Sequence, residues 1–132
     1  MKKEKRVLVD MSATLIHHGH IRLLKAAKNY GKVIVALTTD DEILKKKGYF
    51  PELNFNQRKE IILSIQYVDE VIPSNWLIND EFLEINNIDI LVHGDDNSNP
   101  ISTRKLLILP RTEGISSSKI REIASKINKN FN

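Results

Sequence analysis

The sequence predicts an α/β fold, a parallel five-stranded sheet with helices on both faces. Segments typical of strands alternate along the chain with segments of helical periodicity, which favours parallel strands joined by crossover helices. The strand segments are short and nearly continuous in aliphatic residues, as expected of strands covered on both faces. The 132 residues contain no internal repeat and no linker, so they predict one domain over residues 1–132.

The first half of the chain predicts two strands and two helices. Residues 6–10, RVLVD, form the first strand, and the apolar spacing of residues 21–27 predicts a helix that Gly31 ends. Residues 32–39, KVIVALTT, form the second strand. Residues 40–47 form a short helix or a loop, and residues 48–56 are irregular up to Asn56, which caps the next helix.

The second half predicts three strands and two further helices. Residues 69–72, DEVI, form a short strand closed by Pro73, and residues 79–87 form a helix capped by Asn79 or Asp80. Residues 88–94 and 105–110 form the fourth and fifth strands, and residues 116–127 an amphipathic helix. The Asn-rich end, residues 128–132, is expected to be a frayed tail.

The composition excludes several classes of function. The formal charge of +3 is mild and only eight residues are aromatic, so a nucleic-acid surface is not expected. No apolar run is long enough for a membrane span or a signal-peptide core. The absence of cysteine excludes disulfides and thiolate metal sites, and it fits a cytoplasmic protein.

Polar segments follow four of the predicted strands. The histidine segment follows the first strand, TTDD the second, HGDD the fourth and PRTEGISSS the fifth. Because ligands of such sheets bind beyond the carboxyl ends of the strands, these segments are expected to converge on one site.

Three of the four histidines lie within LIHHGHIRLL. His17 and His20 are three residues apart at a helix start, so both rings can face one point, and Gly19 leaves the backbone N–H groups open. A helix N-terminus attracts anions, which favours a phosphate site. The alternatives are a locally hydrogen-bonded helix start, and a zinc site that would lack a third ligand.

Three other segments carry residues suited to anions or cations. PRTEGISSS offers Arg111, Gly114, Ser116 and Ser117 to phosphate, although serines also cap helices. The lysine run before Gly48 is either solvated or supplies one lysine that closes over a polyphosphate. Arg58 makes a salt bridge or an anion contact. Asp95 and Asp96 form a turn, hold Mg²⁺ through water or accept from ligand hydroxyls or amines.

Taken together, HHGH, KG, NQRKEIILSIQYVDEVIP, HGDD and RTEGISSSKI resemble the cytidylyltransferases that act on glycerol 3-phosphate, phosphocholine and phosphoethanolamine. The H-x-G-H element alone is shared with adenylyltransferases, whereas its combination with YVDEVIP and RTEGIS favours cytidine. The resemblance extends from residue 6 to about residue 127. It implies a Rossmann-like fold, CTP and a small phosphorylated acceptor as substrates, Mg²⁺ as cofactor and a homodimer.

The resemblance also implies roles for single residues. The catalytic residues would be His17, His20, Lys47 and Arg111. The nucleotide would be bound by Ser12, Ala13, Gly19, Asp95, Thr112, Gly114, Ile115, Ser116 and Ser117. The acceptor would be bound by Asp10, Lys46 and Arg58. No residue would hold a metal directly, with Mg²⁺ carried near Asp95 or by the CTP phosphates.

One loop departs from the family pattern. The first loop of these enzymes usually runs G-x-F-D, whereas this chain has MSAT, with Thr14 in the place of the aspartate. The DMSA loop is similar to the first loop of cytidylyltransferases that act on aminoalkylphosphonates or on glutamine phosphate. This resemblance implies that the product is a CDP-activated capsule or cell-surface precursor such as CDP-glutamine. The alternatives are a glycerol-3-phosphate enzyme, an adenylyltransferase and a nucleotide-binding regulator without catalysis.

Overall fold

A computed structural model describes the backbone of residues 4–131, and the side chains of residues 4–127. The strands are β1 (Arg6–Met11), β2 (Lys32–Thr38), β3 (Glu70–Ser74), β4 (Ile90–Gly94) and β5 (Leu106–Leu109). The helices are α1 (His18–Lys28), α2 (Asp40–Lys47), α3 (Phe55–Leu63), α4 (Asp80–Ile85) and α5 (Ser117–Phe131), with a 3-10 turn at Thr103–Lys105.

All five strands are parallel, in the spatial order β3-β2-β1-β4-β5. Helices join β1 to β2, β2 to β3 and β3 to β4, whereas β4 and β5 are joined by a segment that contains only the 3-10 turn. The predicted Rossmann-like sheet is confirmed. The chain leaves β1 toward β2 on one side and returns to pair β4 on the other. The gap between the ends of β1 and β4 is therefore the topological switch point, where ligands of such sheets bind.

The core lies on both faces of the sheet because side chains alternate along each strand. Val7 and Val9 of β1 pack in a cluster with Leu24 of α1 and Ile62 of α3. Leu8, between them, packs on the other face in a second cluster. This cluster includes Leu83 of α4 and Ile78, which precedes that helix. The prediction of helices on both faces is confirmed.

Several element boundaries differ from the sequence prediction. Asn54 caps α3 through a hydrogen bond from the Gln57 N–H, so the prediction of Asn56 as cap was wrong. Pro73 lies inside β3 rather than after it, which is tolerated because β3 is an edge strand. Helix α1 ends at Lys28 and is capped by Asn29, two residues before Gly31.

Gly31 has a different role from the predicted helix stop. Its φ is +153°, and a Cβ there would lie 2.2 Å from the carbonyl oxygen of Lys5. The residue is required where the chain passes close to the start of β1.

The carboxy-terminal helix is longer than expected. The backbone of α5 is helical to Phe131, so the predicted frayed tail at residues 128–132 overlaps the helix, while its side chains and Asn132 lie outside the described part. No helix within the described residues is long and apolar enough to cross a membrane.

Candidate active site

A cavity of about 650 Å³ opens at the carboxyl edge of the sheet. It is lined by the ends of β1, β4 and β5, the first turns of α1 and α5, and the end of α2. Its size suits a small ligand, and its place at the switch point is the one that the topology favours.

His17 and His20 form a reciprocal cap at the start of α1. The Nδ1 atom of His17 accepts from the Gly19 N–H at 3.1 Å, and the Nδ1 atom of His20 accepts from the His17 N–H at 3.1 Å. The two ring centroids lie 3.9 Å apart. A neutral imidazole whose Nδ1 accepts carries its proton on Nε2, so each ring keeps one donor for a ligand.

Both rings are neutral at pH 7. Burial, and then the neighbouring imidazole of His17, lower the pKa of His20 to about 4. Burial, and then His18, also lower the pKa of His17. Both rings line the cavity, whereas His18 is exposed. They are placed as neutral hydrogen-bond donors at a helix N-terminus, which suits an anion.

Gly19 is required by the neighbouring ring of His17. A Cβ at this position would lie 2.8 Å from the ring carbon Cε1 of His17. Any side chain would push this imidazole away from its capping position.

The start of α5 lies directly against the β1–α1 loop. The Ser117 hydroxyl accepts from the Leu15 N–H at 3.2 Å and donates to the Leu15 carbonyl at 2.8 Å. Ser116 accepts from the Lys119 N–H, so it acts as a helix cap. Thr112, Ile115, Ser116 and Ser117 line the cavity. Both predicted phosphate-binding helix starts therefore border the same space.

Gly114 turns the chain into α5 with a φ of +77°, a conformation that favours glycine. It does not line the cavity, so its contact with the nucleotide stays a prediction, while its role in the turn follows from its conformation.

Arg111 lies at the same edge, held by a carboxylate. Its guanidinium contacts Asp96 at 3.3 Å, with both side chains about half exposed. Gly94 leaves room for it, since a Cβ there would lie 2.7 Å from the Arg111 Cγ. Of the two aspartates in HGDD, Asp96 lines the cavity and Asp95 does not, so a contact of Asp95 with the nucleotide stays a prediction.

Asp10 and His93 meet at the switch point between β1 and β4. The Nδ1 atom of His93 lies 2.5 Å from Asp10 Oδ1, and Asn99 donates to Asp10 Oδ2 at 2.9 Å. Burial opposes protonation of His93, but the hydrogen bond and charge of Asp10 outweigh it and raise the pKa of this imidazole. Asp10 was among the predicted site residues, whereas His93 and Asn99 were not. His93 is the first residue of the HGDD motif, and this position was the signal in the sequence that could have identified it.

The lysine run divides into one cavity residue and two outside it. Lys47 lines the cavity, and its Nζ lies 5.5 Å from the ring centroid of Trp76. Gly48 ends α2 in a left-handed conformation. Lys45 and Lys46 border a separate, shallower depression, so the prediction that Lys46 binds in the same site is not supported by its position.

Arg58 is the clearest correction. Its side chain has no exposed surface, and its guanidinium donates to the carbonyls of Leu53, Ser12 and Thr38 and to the Asp40 carboxylate at 2.6 Å. A residue with its charge and donors used inside the protein does not contact an acceptor. Arg58 instead supports the loop that carries Ser12.

The β1–α1 loop carries one residue that lines the cavity and one strained residue that does not. Ser12 is half-buried and lines the cavity, whereas Ala13 is buried with a φ of +45° and does not line it. A left-handed alanine costs energy that the surrounding packing must offset, so this loop is held in a defined shape.

Arg121 of α5 was not among the predicted site residues. Its guanidinium lines the cavity and contacts Glu52, the Tyr49 hydroxyl at 3.1 Å and the Thr14 hydroxyl at 2.7 Å. The sequence carried a weak signal for it, since Arg121 follows Ser117 by one helical turn.

The described residues do not build a resident metal site. Among the described side chains, residues 4–127, no three histidine or acidic groups cluster in a way that could hold a metal ion. Asp96 contacts Arg111, and Asp10 contacts His93 and Asn99. The zinc interpretation of the histidine segment therefore lacks the ligands that it needs.

Comparison with known proteins gives a consistent result. The profile of a family described as cytidylyltransferase-like matches residues 12–123. The glycerol-3-phosphate cytidylyltransferase of Bacillus subtilis (strain 168) is 41% identical over 126 residues, covering 89% of this chain and 95% of that protein. The ethanolamine-phosphate cytidylyltransferase of Dictyostelium discoideum is 32% identical over 131 residues, covering 90% of this chain and 36% of that protein.

A solved structure shares the fold. The lipopolysaccharide core biosynthesis protein from Thermoplasma volcanium GSS1 matches with a TM-score of 0.70 and 20% identity. The match covers 84% of this chain and all of that one. At this identity the likeness supports the sheet topology and nothing more specific.

Proposed function

The chain belongs to the cytidylyltransferase-like family, and on that premise we propose that it transfers the cytidylyl group of CTP to a small phosphorylated acceptor. The products are a CDP-activated compound and pyrophosphate. The observation that carries the proposal is the meeting of two neutral imidazole donors at the start of α1 with the start of α5 around one cavity. This arrangement suits a polyphosphate.

The proposed reaction is a displacement at phosphorus. An oxygen of the acceptor phosphate attacks the α-phosphorus of CTP, a new P–O–P bond forms, and the bond to the β-phosphate breaks with its electron pair leaving on pyrophosphate. A phosphomonoester is largely dianionic at pH 7, since its second pKa is about 6, so no general base is needed. The protein's task is to hold two anions in line and stabilise the charge that develops.

Different residues around the cavity would bind different parts of the two substrates. The Nε2–H groups of His17 and His20 would donate to the CTP phosphates, and donors of this kind act without adding charge. Arg111 would bind the triphosphate once its guanidinium turns from Asp96, and Lys47 would lie between the two substrates. The support is that all four side chains line the same cavity.

The acceptor is proposed at two levels of detail. Glycerol 3-phosphate and ethanolamine phosphate are the acceptors after which the relatives are named, and either fits the proposed reaction. The DMSA loop extends the proposal to aminoalkylphosphonates and to glutamine phosphate, which would make the product a capsule or cell-surface precursor. Asp10 lines the cavity beside His93, and each of its carboxylate oxygens keeps a lone pair beyond the contacts with His93 and Asn99, so it would accept from an amine or hydroxyl group of the acceptor.

Magnesium and self-association are further parts of the proposal. Because the described residues form no cluster for a resident ion, Mg²⁺ would enter with the CTP phosphates and keep most of its water ligands. A homodimer is proposed from the family resemblance, and the molar mass measured by analytical ultracentrifugation would distinguish it from a monomer.

The test is an assay of pyrophosphate release with CTP and a panel of acceptors: glycerol 3-phosphate, phosphoethanolamine, phosphocholine, 2-aminoethylphosphonate and glutamine phosphate. We expect turnover with at least one of them, and preference for CTP over ATP in competition binding. Saturable CTP binding without turnover on any acceptor would favour a nucleotide-binding regulator. A clear preference for ATP would refute the nucleotide assignment.

A further inference from the structure

Arg121 lines the cavity, and the proposed reaction leaves it without a role. Its guanidinium has five N–H donors, and the described contacts use three of them: Nε to Glu52, one terminal N–H to Tyr49 and one to Thr14. Within the part of the chain that the structure describes, one N–H on each terminal nitrogen has no protein acceptor. Two such donors match two oxygens of one oxyanion.

The contacts of Arg121 fix its position and leave its positive charge uncompensated on the side that faces the cavity. The Tyr49 ring lies 5.1 Å from the guanidinium carbon, and Thr14 is almost fully buried. Thr14 and Tyr49 line the cavity, and both are neutral; Glu52, the one carboxylate that contacts Arg121, does not line it. The anionic partner is therefore on the outer side, while the cavity side of the guanidinium meets only hydroxyl groups and a ring.

Arg121 lies on a different wall from Arg111. Ser117 and Arg121 are one turn apart on the face of α5 that contacts the β1–α1 loop, so Arg121 is about 6 Å further from the helix start. Through Tyr49 it touches the segment that follows Lys47 and Gly48. Arg121 thus contacts Tyr49 and Thr14, whereas Arg111 contacts Asp96.

Two anionic substrates that react with each other repel, and each needs its own cationic contacts. The triphosphate is accommodated by the two helix starts and Arg111. We propose that Arg121 binds the acceptor, by two hydrogen bonds to oxygens of its phosphate or phosphonate group, and that neutral Thr14 keeps this guanidinium available. This inference rests on the proposed function and adds to it the residue that recognises the second substrate.

The experiment measures acceptor and CTP separately in wild type, Arg121→Gln, Arg121→Lys and Thr14→Asp. The acceptor is glycerol 3-phosphate or phosphoethanolamine, whichever the wild type binds more tightly. Its KM is measured at saturating CTP, and its Kd by calorimetry. Thr14→Asp places a second carboxylate against Arg121 without removing it, so it tests the same contact in a protein that retains the arginine.

We expect Arg121→Gln and Thr14→Asp to raise the acceptor KM and Kd at least tenfold while the Kd for CTP stays within twofold of wild type. Arg121→Lys keeps the charge but loses the fork, so its effect should be intermediate. Lys126→Gln is the matched control, because it removes one positive charge from an exposed ion pair with Glu122 on the same helix. It should leave both substrates unaffected.

Several outcomes would overturn the assignment. An unchanged acceptor KM in an active Arg121→Gln protein would do so, as would parallel losses of CTP and acceptor affinity, which indicate a general structural role. If Arg121→Gln does not fold, unchanged acceptor affinity in Thr14→Asp contradicts the inference by itself. Acceptor and CTP binding without pyrophosphate release in wild type would instead refute the proposed function, since the binding measurements still test Arg121.

Discussion

The Nδ1 atom of His20 accepts a hydrogen bond from the backbone N–H of His17 at 3.1 Å, which makes the second histidine of the motif a capping residue. The phosphate and local-cap interpretations of the histidine segment are therefore compatible. The cap uses Nδ1 and fixes the proton on Nε2, and the same bond that stabilises the helix start orients a donor for a ligand. A ring in this position has measurable consequences for both stability and catalysis.

The first prediction concerns the pH dependence of stability. The pKa of His20 is about 4 in the folded protein and near 6.5 when unfolded, so the unfolded state binds the proton more readily. The contribution is complete above pH 6.5 and is lost as the pH falls toward 4, by up to about 1.4 kcal/mol per pH unit. Urea unfolding at several pH values measures it.

His20→Gln is the control for this prediction. Glutamine at the third helical position can accept from the capping N–H but does not titrate. The difference in free energy of unfolding between the two proteins should change with pH between 6.5 and 4 in favour of the variant. Parallel curves would show that His20 does not titrate in this range.

The second prediction concerns Lys47. Lys47→Ala should lower kcat by tenfold or more with little change in Tm, because an exposed lysine at a helix end contributes little packing while its charge would stabilise the transition state. Lys45→Ala, which removes a largely exposed lysine outside the cavity, should have a mild effect. Equal losses in both variants would mean that only the total positive charge of this segment matters.

The third prediction concerns Arg111. Arg111→Lys keeps the charge but loses the planar fork, so the CTP affinity should fall severalfold in calorimetric titration. The control is Arg104→Lys, an exposed arginine in the 3-10 turn outside the cavity. CTP affinity that does not distinguish the two variants would remove Arg111 from the site.

The fourth prediction follows from the burial of Arg58. Arg58→Met leaves the Asp40 carboxylate and the carbonyls of Ser12 and Thr38 without their donor, so we expect a loss of about 3–5 kcal/mol in the free energy of unfolding. Lys59→Met, its neighbour on α3, should cost far less. A loss below 1 kcal/mol for Arg58→Met would contradict its structural role.

The sequence predicted the sheet and the edge where the site lies because both follow from local patterns. Continuous aliphatic runs identify buried strands, and parallel strands bring their carboxyl ends to one edge. The residue patterns predicted phosphate contacts for His17, His20 and Arg111, and the family resemblance selected Lys47 from its run of lysines. Their presence around one cavity follows from the topology.

The partners of these residues could not be predicted in the same way. The contact between Asp10 and His93 joins residues 83 positions apart, and that between Thr14 and Arg121 joins residues 107 positions apart. Arg58 looked like a surface arginine because nothing in α3 alone shows that Asp40 and the Ser12 carbonyl lie behind it. Pairing across crossovers depends on the register of the strands, which no local pattern contains.

The central claim is that the His20 Nε2–H donates to a CTP phosphate during transfer, and its most direct test is kcat together with Tm for wild type, His20→Ala and His20→Gln. We predict that His20→Ala lowers kcat by roughly a hundredfold or more and also lowers Tm, since it loses donor and cap. His20→Gln should recover most of the Tm and part of kcat. Wild-type kcat in both variants, with a lowered Tm only in His20→Ala, would show that the ring serves the helix alone and would contradict the account.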